Sequence, residues 1–319
     1  MLSIIEITPI HWAGFVLLII FFLALDLCIV HRRAHVVRFH EALVWTVIWF
    51  TLAMAFAGLL FPLRGRERAI EYLTGYLIEL SLSMDNVFVM ALIFSYFQVP
   101  SQYQHRVLFW GILGALIMRG VMIGLGTALI ARFEWILYAF GAFLIFSGAK
   151  MIFSEYEGVH PEKNPVIRLA RKLFPITKDF EGQRFVVAKD GKRMLTPLAI
   201  VLLTVETTDL LFAVDSIPAI FAVTRDSFIV FTSNVFAILG LRSLYFVLAG
   251  AIQYFKLLKY GLATVLVFIG GKMLAEIWAF ELSTTISLLV VAAILCLSII
   301  LSVVVTRAQS RQQQQPGDA

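Results

Sequence analysis

Two apolar stretches of this chain carry acidic residues in the same order and at the same spacing. ELSLSMDN at 79–86 and DLLFAVDS at 209–216 each hold an acid, five further residues, and then Asp followed by Asn or Ser. Glu206 precedes Asp209 by three residues, which places these two acids on one helix face. Carboxylate, amide and carbonyl oxygens are the ligands that Mg²⁺, Ca²⁺ and Mn²⁺ prefer. The pattern therefore predicts a site for a hard divalent cation.

The histidines and cysteines argue against softer metals. The chain has six histidines and two cysteines, and none lies in either stretch, whereas zinc and copper sites usually employ these side chains. Cys28 and Cys296 are far apart and no CxxC motif occurs, so neither a disulfide framework nor a dithiol redox centre is predicted. No catalytic triad or nucleophile elbow occurs. We predict that the protein is not an enzyme and holds no prosthetic group.

The composition indicates a polytopic membrane protein. Of the 319 residues, 60% are hydrophobic and 15% are charged, and the mean hydropathy is +0.89. Soluble globular proteins are about 25% charged. The net charge of +5 is dispersed between apolar runs and forms no basic stripe, so nucleic acid is not an expected partner. The expected partner is the lipid bilayer.

Nine apolar runs are long enough to cross a bilayer, and all must be helical because lipid cannot satisfy open backbone groups. The predicted fold is an all-α polytopic membrane protein with about nine transmembrane helices. Asp26 lies near the end of the first run, where an ordinary helix-end acid is favoured over a functional group. The runs cover approximately residues 10–30, 41–61, 72–97, 107–131, 134–153, 197–222, 227–250, 258–278 and 283–306.

The acids in the third and sixth runs are costly to place in lipid. One charge at the centre of a spanning helix costs about 2.5–3.5 kcal/mol, so five such acids facing lipid would cost roughly 12–18 kcal/mol. We expect them to face the protein interior or water, with Arg119, Arg242 and Lys272 compensating their charge when no metal is bound. The alternative is purely structural ion pairs with these basic residues. Lys150 can instead reach the membrane surface, and Lys272 can pair with Glu276 one turn away.

The basic residues within the runs also expose an internal repeat. In both halves of the chain the acids are followed by an Arg shortly after Ile-Leu-Gly, and then by a Lys in GAKM or GGKM. Each set covers three spans, so the second set would cross the membrane in the opposite sense. This predicts a three-plus-three inverted repeat with the substrate site at the repeat interface. The predicted segments are 1–71 (two N-terminal transmembrane helices), 72–153 (first three-helix repeat), 154–196 (cytoplasmic loop), 197–278 (second three-helix repeat), 279–306 (C-terminal transmembrane helix) and 307–319 (disordered tail).

The six-residue spacing of the acids raises a geometric difficulty. Glu79 and Asp85 would point well apart on an ideal helix. Pro218 has no backbone N–H and cannot donate to the Val214 carbonyl. We therefore expect the sixth span to be broken there. A matching break in the third span, expected from the repeat alone, would let both acids of each pair reach one site.

Lys and Arg set the expected orientation. They are concentrated in the segments that lie on the cytoplasmic side if the N-terminus is outside, above all in the 154–196 loop and just after the last span. We therefore expect the N-terminus outside and the C-terminus in the cytoplasm. The cluster RGRER at 64–68 is the one loop that contradicts this arrangement.

Four stretches resemble the TerC (tellurium resistance) family of bacterial inner-membrane proteins, and in particular its Alx-like branch. They are YLTGYLIELSLSMDNVFV, VETTDLLFAVDSIPAIFAVTRDSFIV, TSNVFAILGLRSLYFVLAG and LKYGLATVLVFIGGKML, and the resemblance runs over most of the chain. It implies an inner-membrane divalent metal transporter that exports Mn²⁺ in a manner linked to alkaline pH, with protons as a candidate coupling ion. Transferred residue by residue, it implies a metal site of Glu79, Asp85, Asn86, Glu206, Asp209, Asp215 and Ser216.

The labels carried by that family leave other functions open. One is a membrane-bound redox modulator, although the two cysteines fit direct redox chemistry poorly. Another is tellurite resistance, or an assembly partner that uses the 154–196 loop and transports nothing. A scaffold of this kind should tolerate neutralisation of the acids in both spans, whereas a transporter should not.

Overall fold

The computed structural model describes residues 7–25, 39–153, 162, 164–189, 191–249, 258–278 and 282–313, with the backbone alone at 249 and 307–313. Asp26 lies outside the described residues. The helices are α1 (Pro9–Leu25), α2 (Phe39–Arg64), α3 (Arg66–Tyr96), α4 (Ser101–Arg132), α5 (Ile136–Phe153), α6 (Pro165–Leu173), α7 (Pro197–Phe221), α8 (Ser227–Ala249), α9 (Leu258–Ala275) and α10 (Thr284–Gln313). A 3₁₀ turn, Glu276–Trp278, follows α9, and strands β1 (Val186–Lys189) and β2 (Lys192–Leu195) form an antiparallel pair.

The described helices confirm the predicted fold class. Eight of them, α2 to α5 and α7 to α10, are long and apolar enough to cross a membrane, and α1 is a shorter apolar helix of 17 described residues. The protein is an all-α polytopic membrane protein. Helix α10 continues to Gln313, beyond the start of the tail expected to be disordered from residue 307. Arg, Ala and Gln have good helix propensity, which accounts for the extension.

Four helices form the centre of the bundle. Helix α3 packs against α7 and α8, and α4 packs against the same two helices. Helix α2 covers α8 on one side, α10 packs on α3 and α9, and α1 joins α2 and α8 through Phe15, which contacts Phe56 and Phe228. Exchanging α3, α4 and α5 with α7, α8 and α9 maps the α3–α8 contact onto the α4–α7 contact and leaves the α5–α9 pair unchanged. The inverted repeat itself stays a prediction.

Helices α5 and α9 approach each other through glycine. A Cβ added at Gly148 would lie 2.7 Å from the Ala263 carbonyl oxygen, and one added at Gly270 would lie 2.5 Å from the Gly141 carbonyl oxygen. Gly148 and Gly270 each precede the lysine of their set by two residues, and Gly141 and Ala263 each precede it by nine. The two close contacts therefore correspond under exchange of the helices. Small residues at such crossings are typical of membrane helix pairs.

This close approach leads to a prediction about stability. Gly148→Ala and Gly270→Ala should each lower the free energy of unfolding by about 1–3 kcal/mol, because the new methyl group meets backbone rather than a side chain that can move. Thermal unfolding of the purified protein in detergent measures the loss. Gly271→Ala is the matched control, since a Cβ there has nothing within 4 Å. Equal melting temperatures for all three variants would contradict the close packing.

The expected breaks in the third and sixth spans are absent, and that prediction was wrong. Helix α3 is continuous from Arg66 to Tyr96, and α7 is continuous from Pro197 to Phe221 with Pro218 inside it. The Pro218 carbonyl accepts a bond from the Ala222 amide at 3.2 Å, so the helical pattern resumes directly after the proline. Pro218 is also buried among neighbouring helices, which hold the last turn in place.

Two of the three arginines in the basic cluster at 64–68 pair with nearby acids. Gly65 alone joins α2 to α3, with a φ of 89° that only glycine adopts readily. Arg64 pairs with Asp226 at 2.8 Å, and Arg68 pairs with Glu71 at 2.7 Å. The Arg64–Asp226 pair ties the α2–α3 turn to the loop between α7 and α8. Arg64 and Arg68, two of the arginines that contradicted the orientation rule, thus have structural partners.

The polar insert contains structure that the sequence analysis did not predict. Asn164 caps α6 by accepting a bond from the Val166 amide at 2.9 Å. The β1–β2 hairpin follows, and Thr196 then caps α7 through the Ala199 amide at 3.4 Å. The insert is attached to the spanning helix α7 at two points, through the Thr196 cap and through the Asn164 Nδ2, which donates to the Thr207 Oγ1 at 2.7 Å.

Candidate functional site

A buried polar cluster lies where α3, α4, α7 and α8 meet. Each of its side chains is at most 4% exposed, although all lie within spanning helices. Buried polar groups at this depth are costly and usually functional. We call these residues the central polar cluster: Glu79, Asn86, Arg119, Asp209, Ser216 and Asn234.

Helical spacing places two members on each of the acidic helices. Glu79 and Asn86 are seven residues apart on α3, and Asp209 and Ser216 are seven apart on α7. Seven residues correspond to about two turns, so both members of each pair lie on the same face. This face of α3 meets the equivalent face of α7 in the bundle centre.

Arg119 is the hub of the cluster. Its guanidinium forms an ion pair with Glu79 and a second one with Asp209, the latter with 3.4 Å between Nη2 and Oδ1. Nη1 also donates to the Asn234 Oδ1 at 2.7 Å and to the Ser216 Oγ at 3.4 Å. The guanidinium is thus paired with two buried carboxylates, and its charge-compensating role at a metal site stays a prediction. One cation thus contacts acids from both acidic helices.

Asn234 was not identified from the sequence. Its Oδ1 accepts from Arg119, and its Nδ2 donates to the Glu79 Oε2 at 3.2 Å, so one amide contacts both members of an ion pair. The available signal was the polar triplet TSN inside the apolar eighth helix. An amide in such a position has to find partners within the protein.

Within the part of the chain that the structure describes, two acceptor oxygens of the cluster have no hydrogen-bond donor. Asn86 donates its Nδ2 to the Asp209 Oδ1 at 3.3 Å, but the Asn86 Oδ1 and the Asp209 Oδ2 are buried without a partner. Leaving a buried acceptor unpaired costs about 1–3 kcal/mol. Oxygens that lack donors are the groups to which a cation can bind.

Glu206 extends this set toward the start of α7. Its carboxylate occupies the space over Gly114 on α4, where an added Cβ would overlap both carboxylate oxygens. Asp209, one turn away, is close enough to act on Glu206 electrostatically, and no side chain in the described residues donates a hydrogen bond to it. Glu206 is half-buried, whereas Asp209 is fully buried. The predicted pairing of Glu206 with Asp209 on one face is therefore present.

Asp85 and Asp215 are directed differently. Each follows the first acid of its stretch by six residues, which turns it by about 120° around a continuous helix. Asp215 accepts a bond from the Ser147 Oγ of α5 at 2.8 Å and lies near Lys150. Ser147 is a second residue that sequence reasoning missed, because an isolated serine in an apolar helix carries no specific signal.

The remaining predicted basic residues occupy separate places. Lys272 is buried and donates to the Ala222 carbonyl oxygen at 3.3 Å, near the end of α7. Arg242 is buried within α8. Lys150 is exposed near the end of α5, as expected for a side chain that reaches the membrane surface.

The acids are distributed rather than gathered around one point. Within the described residues, no group of three or more His, Cys, Asp and Glu side chains is placed to hold a metal ion. What the cluster offers instead is a mixed set of carboxylate and amide oxygens beside a resident guanidinium. Such a set can exchange one cationic partner for another.

Comparison with known proteins gives a consistent result. The model of the integral membrane protein TerC family matches residues 64–310. The membrane protein STKORF319 of Myxococcus xanthus is 51% identical over 300 residues, covering 94% of each chain. A protein of Escherichia coli (strain K12), described as a candidate membrane-bound redox modulator and named Alx, is 46% identical over 315 residues, covering 96% of this chain and 98% of its own. No solved structure matches the chain.

Proposed function

Since this chain belongs to the TerC family of integral membrane proteins, we propose that it is a transporter of divalent cations whose substrate is Mn²⁺ and whose direction is export. The observation that carries the proposal is the pair of buried acceptors without donors, Asn86 Oδ1 and Asp209 Oδ2, beside the carboxylate of Glu206. Their oxygens are of the type that Mn²⁺ binds.

The charges near these oxygens suit a divalent ion. Glu79, Glu206 and Asp209 contribute three negative charges when ionised, and Arg119 contributes one positive charge, which leaves two negative charges. A divalent cation neutralises this remainder. We therefore assign Asn86, Glu206 and Asp209 as the ligands that a cation meets, with Glu79 and Ser216 adjacent.

Arg119 supplies the positive charge when the cation has left. It contacts Asp209 through Oδ1, which leaves Oδ2 of the same carboxylate for the cation. Binding of the cation weakens the hold of Arg119 on Asp209, and release restores it. Asp85 and Asp215 remain proposed as further acids of the pathway, reached by movement of α3 and α7 relative to α5 and α9.

A direct experiment tests the proposed function. The purified protein is reconstituted into sealed vesicles, and Mn²⁺ movement is followed with a metal-sensitive dye enclosed inside. Protein-dependent movement of Mn²⁺ is expected, with protons tested as the coupling ion by imposing a pH gradient. Vesicles with and without protein that move Mn²⁺ at equal rates would refute transport.

The description of the Escherichia coli relative favours one alternative, a redox role. Cys296 is exposed on α10 and unpaired, far along the chain from Cys28. A redox effect is more readily explained as a consequence of altered cellular manganese. A variant with both cysteines replaced by serine should therefore retain Mn²⁺ transport.

Gly114 provides a test of the assigned ligand Glu206. Gly114→Ala should weaken the apparent Mn²⁺ affinity by at least about tenfold, or about 1.4 kcal/mol, because the methyl group displaces the carboxylate. The half-saturating Mn²⁺ concentration for transport is the measurement. Gly124→Ala on the same helix is the matched control, since its Cβ has nothing within 4 Å.

The effects of substitutions at Gly114 and Glu206 on Mn²⁺ affinity should not be additive. In a Glu206→Gln background the ligand charge is already lost, so Gly114→Ala should cause no further loss of affinity. Independent, additive losses would show that Gly114 acts by another route and would remove Glu206 from the ligand set.

We also propose a location in the bacterial inner membrane with the N-terminus outside. Lys192 at the start of β2 and Arg225 beyond the end of α7 are both exposed, and the spanning helix α7 separates them. In a background without the native cysteines, Arg225→Cys should react with an impermeant thiol reagent added to intact cells, and Lys192→Cys should not. The reverse labelling pattern would invert the assignment of every span.

A further inference from the structure

Helix α6 differs in character from the spanning helices. Its sequence, PVIRLARKL, places Val166, Leu169 and Leu173 at i, i+3 and i+7, on one face. These side chains are 40%, 56% and 64% exposed. Among the described residues, nothing covers this apolar face of the nine-residue helix.

The opposite face of α6 is basic. Arg168, Arg171 and Lys172 follow one another around the helix and are all exposed. A third side holds α6 to the protein through Ile167, which is fully buried. The helix therefore has an anchored side, an apolar side and a basic side, and the last two point away from the bundle.

The position of α6 relative to α7 indicates its depth. Asn164, at the start of α6, donates its Nδ2 to the Thr207 Oγ1 at 2.7 Å. Thr207 lies ten residues into α7, or about 15 Å along a spanning helix. On the other side, Tyr96 at the end of α3 donates to Glu162 at 3.1 Å. Helix α6 thus begins beside the spanning helices rather than beyond them.

We propose that α6 is an interfacial membrane helix: its apolar face enters the acyl chains and its basic face binds anionic phospholipid headgroups of the same leaflet. Helices with this separation of apolar and basic residues lie at the boundary between headgroups and acyl chains. Clustered Lys and Arg next to a membrane span attract anionic lipids. The bilayer is the occupant because it already surrounds the helices to which α6 is attached. This inference does not depend on the proposed transport activity.

Spin labels on the full-length protein in vesicles test the depth of α6. The native cysteines are replaced by serine, and a nitroxide is attached at Leu169→Cys, at Leu173→Cys or, as the matched control on the basic face, at Arg168→Cys. Collision with oxygen, which concentrates in lipid, should exceed collision with a water-soluble nickel chelate at 169 and 173. The order should be reversed at 168. Unchanged elution of each labelled protein on size exclusion verifies folding.

Lipid composition tests the headgroup contact. Phosphatidylcholine vesicles are compared with vesicles that also contain phosphatidylglycerol, and the anionic lipid should move the label at 169 deeper. Replacing Arg168, Arg171 and Lys172 by Gln should abolish that shift while the label stays in lipid. Nickel-dominated collisions at 169 and 173 in both membranes would overturn the proposal and leave the face to a protein partner. A depth that does not respond to phosphatidylglycerol would overturn the assignment of the basic face.

Discussion

Asp209→Asn should reduce Mn²⁺ movement into vesicles to the rate of vesicles without protein. The substitution keeps the size of the side chain and removes the negative charge of the carboxylate. In the wild type, the Oδ1 of this carboxylate accepts from Asn86 and Arg119, and its Oδ2 has no partner among the described residues. Loss of residues that merely support a metal ligand already costs about 10–100-fold in affinity, and a direct ligand should cost no less. Initial rates at several Mn²⁺ concentrations provide the measurement.

Three further variants make this result interpretable. Glu276→Gln, in the 3₁₀ turn after α9, removes an acid that is not part of the central polar cluster and should leave transport intact. Asp85→Asn and Asp215→Asn remove the acids that the sequence alone marks as equal candidates. Asp215 is bonded to Ser147 on α5, so its effect should be smaller than that of Asp209. Wild-type rates in Asp209→Asn would show that the central polar cluster is structural only.

Arg119→Met should destabilise the protein by about 3–5 kcal/mol, the usual result of removing one partner of a buried ion pair. Arg119 is 2% exposed and contacts Glu79, Asp209 and other cluster members, so its loss leaves buried carboxylates without a counter-charge. Methionine fills much of the same volume, which limits the effect of a cavity. Thermal or denaturant unfolding in detergent gives the change.

Rescue separates charge from packing in this variant. Adding Glu79→Gln to Arg119→Met removes the nearest stranded carboxylate and should recover part of the lost stability. A double variant no more stable than Arg119→Met alone would mean that shape, not charge, makes Arg119 important. Arg119→Lys is a second comparison: it keeps the charge but cannot reach Glu79, Asp209 and Asn234 together.

The sequence was sufficient to predict the membrane class, the helices and most of the central polar cluster. Composition alone identifies spanning helices because the bilayer imposes their length and polarity. A charged residue such as Glu79 or Arg119 inside an apolar run stands out for the same reason. Asn234 and Ser147 did not stand out, because small or neutral polar residues are tolerated in such helices and their partners depend on how the helices pack.

The error about Pro218 has a similar origin. The sequence shows that a backbone bond is lost, but not that the last turn is held by surrounding helices. Once α7 is continuous, the six-residue spacing separates Asp215 from Asp209 instead of bringing them together. Likewise, Glu206 can reach its position only because Gly114 on another helix leaves room, which is a property of the packed bundle.

The guanidinium of Arg119 between Glu79 and Asp209 also bears on when such a protein would act. When no cation is bound, this guanidinium compensates part of the negative charge of the central polar cluster. An incoming cation would have to compete with this guanidinium for the Asp209 carboxylate. Because Arg119 is part of the same chain, its local concentration is constant, and the competition would weaken the apparent affinity for the cation. A transporter with such a site would move little of the ion at low ion concentration and more as that concentration rises. Its threshold would be set by an internal side chain rather than by a separate sensor.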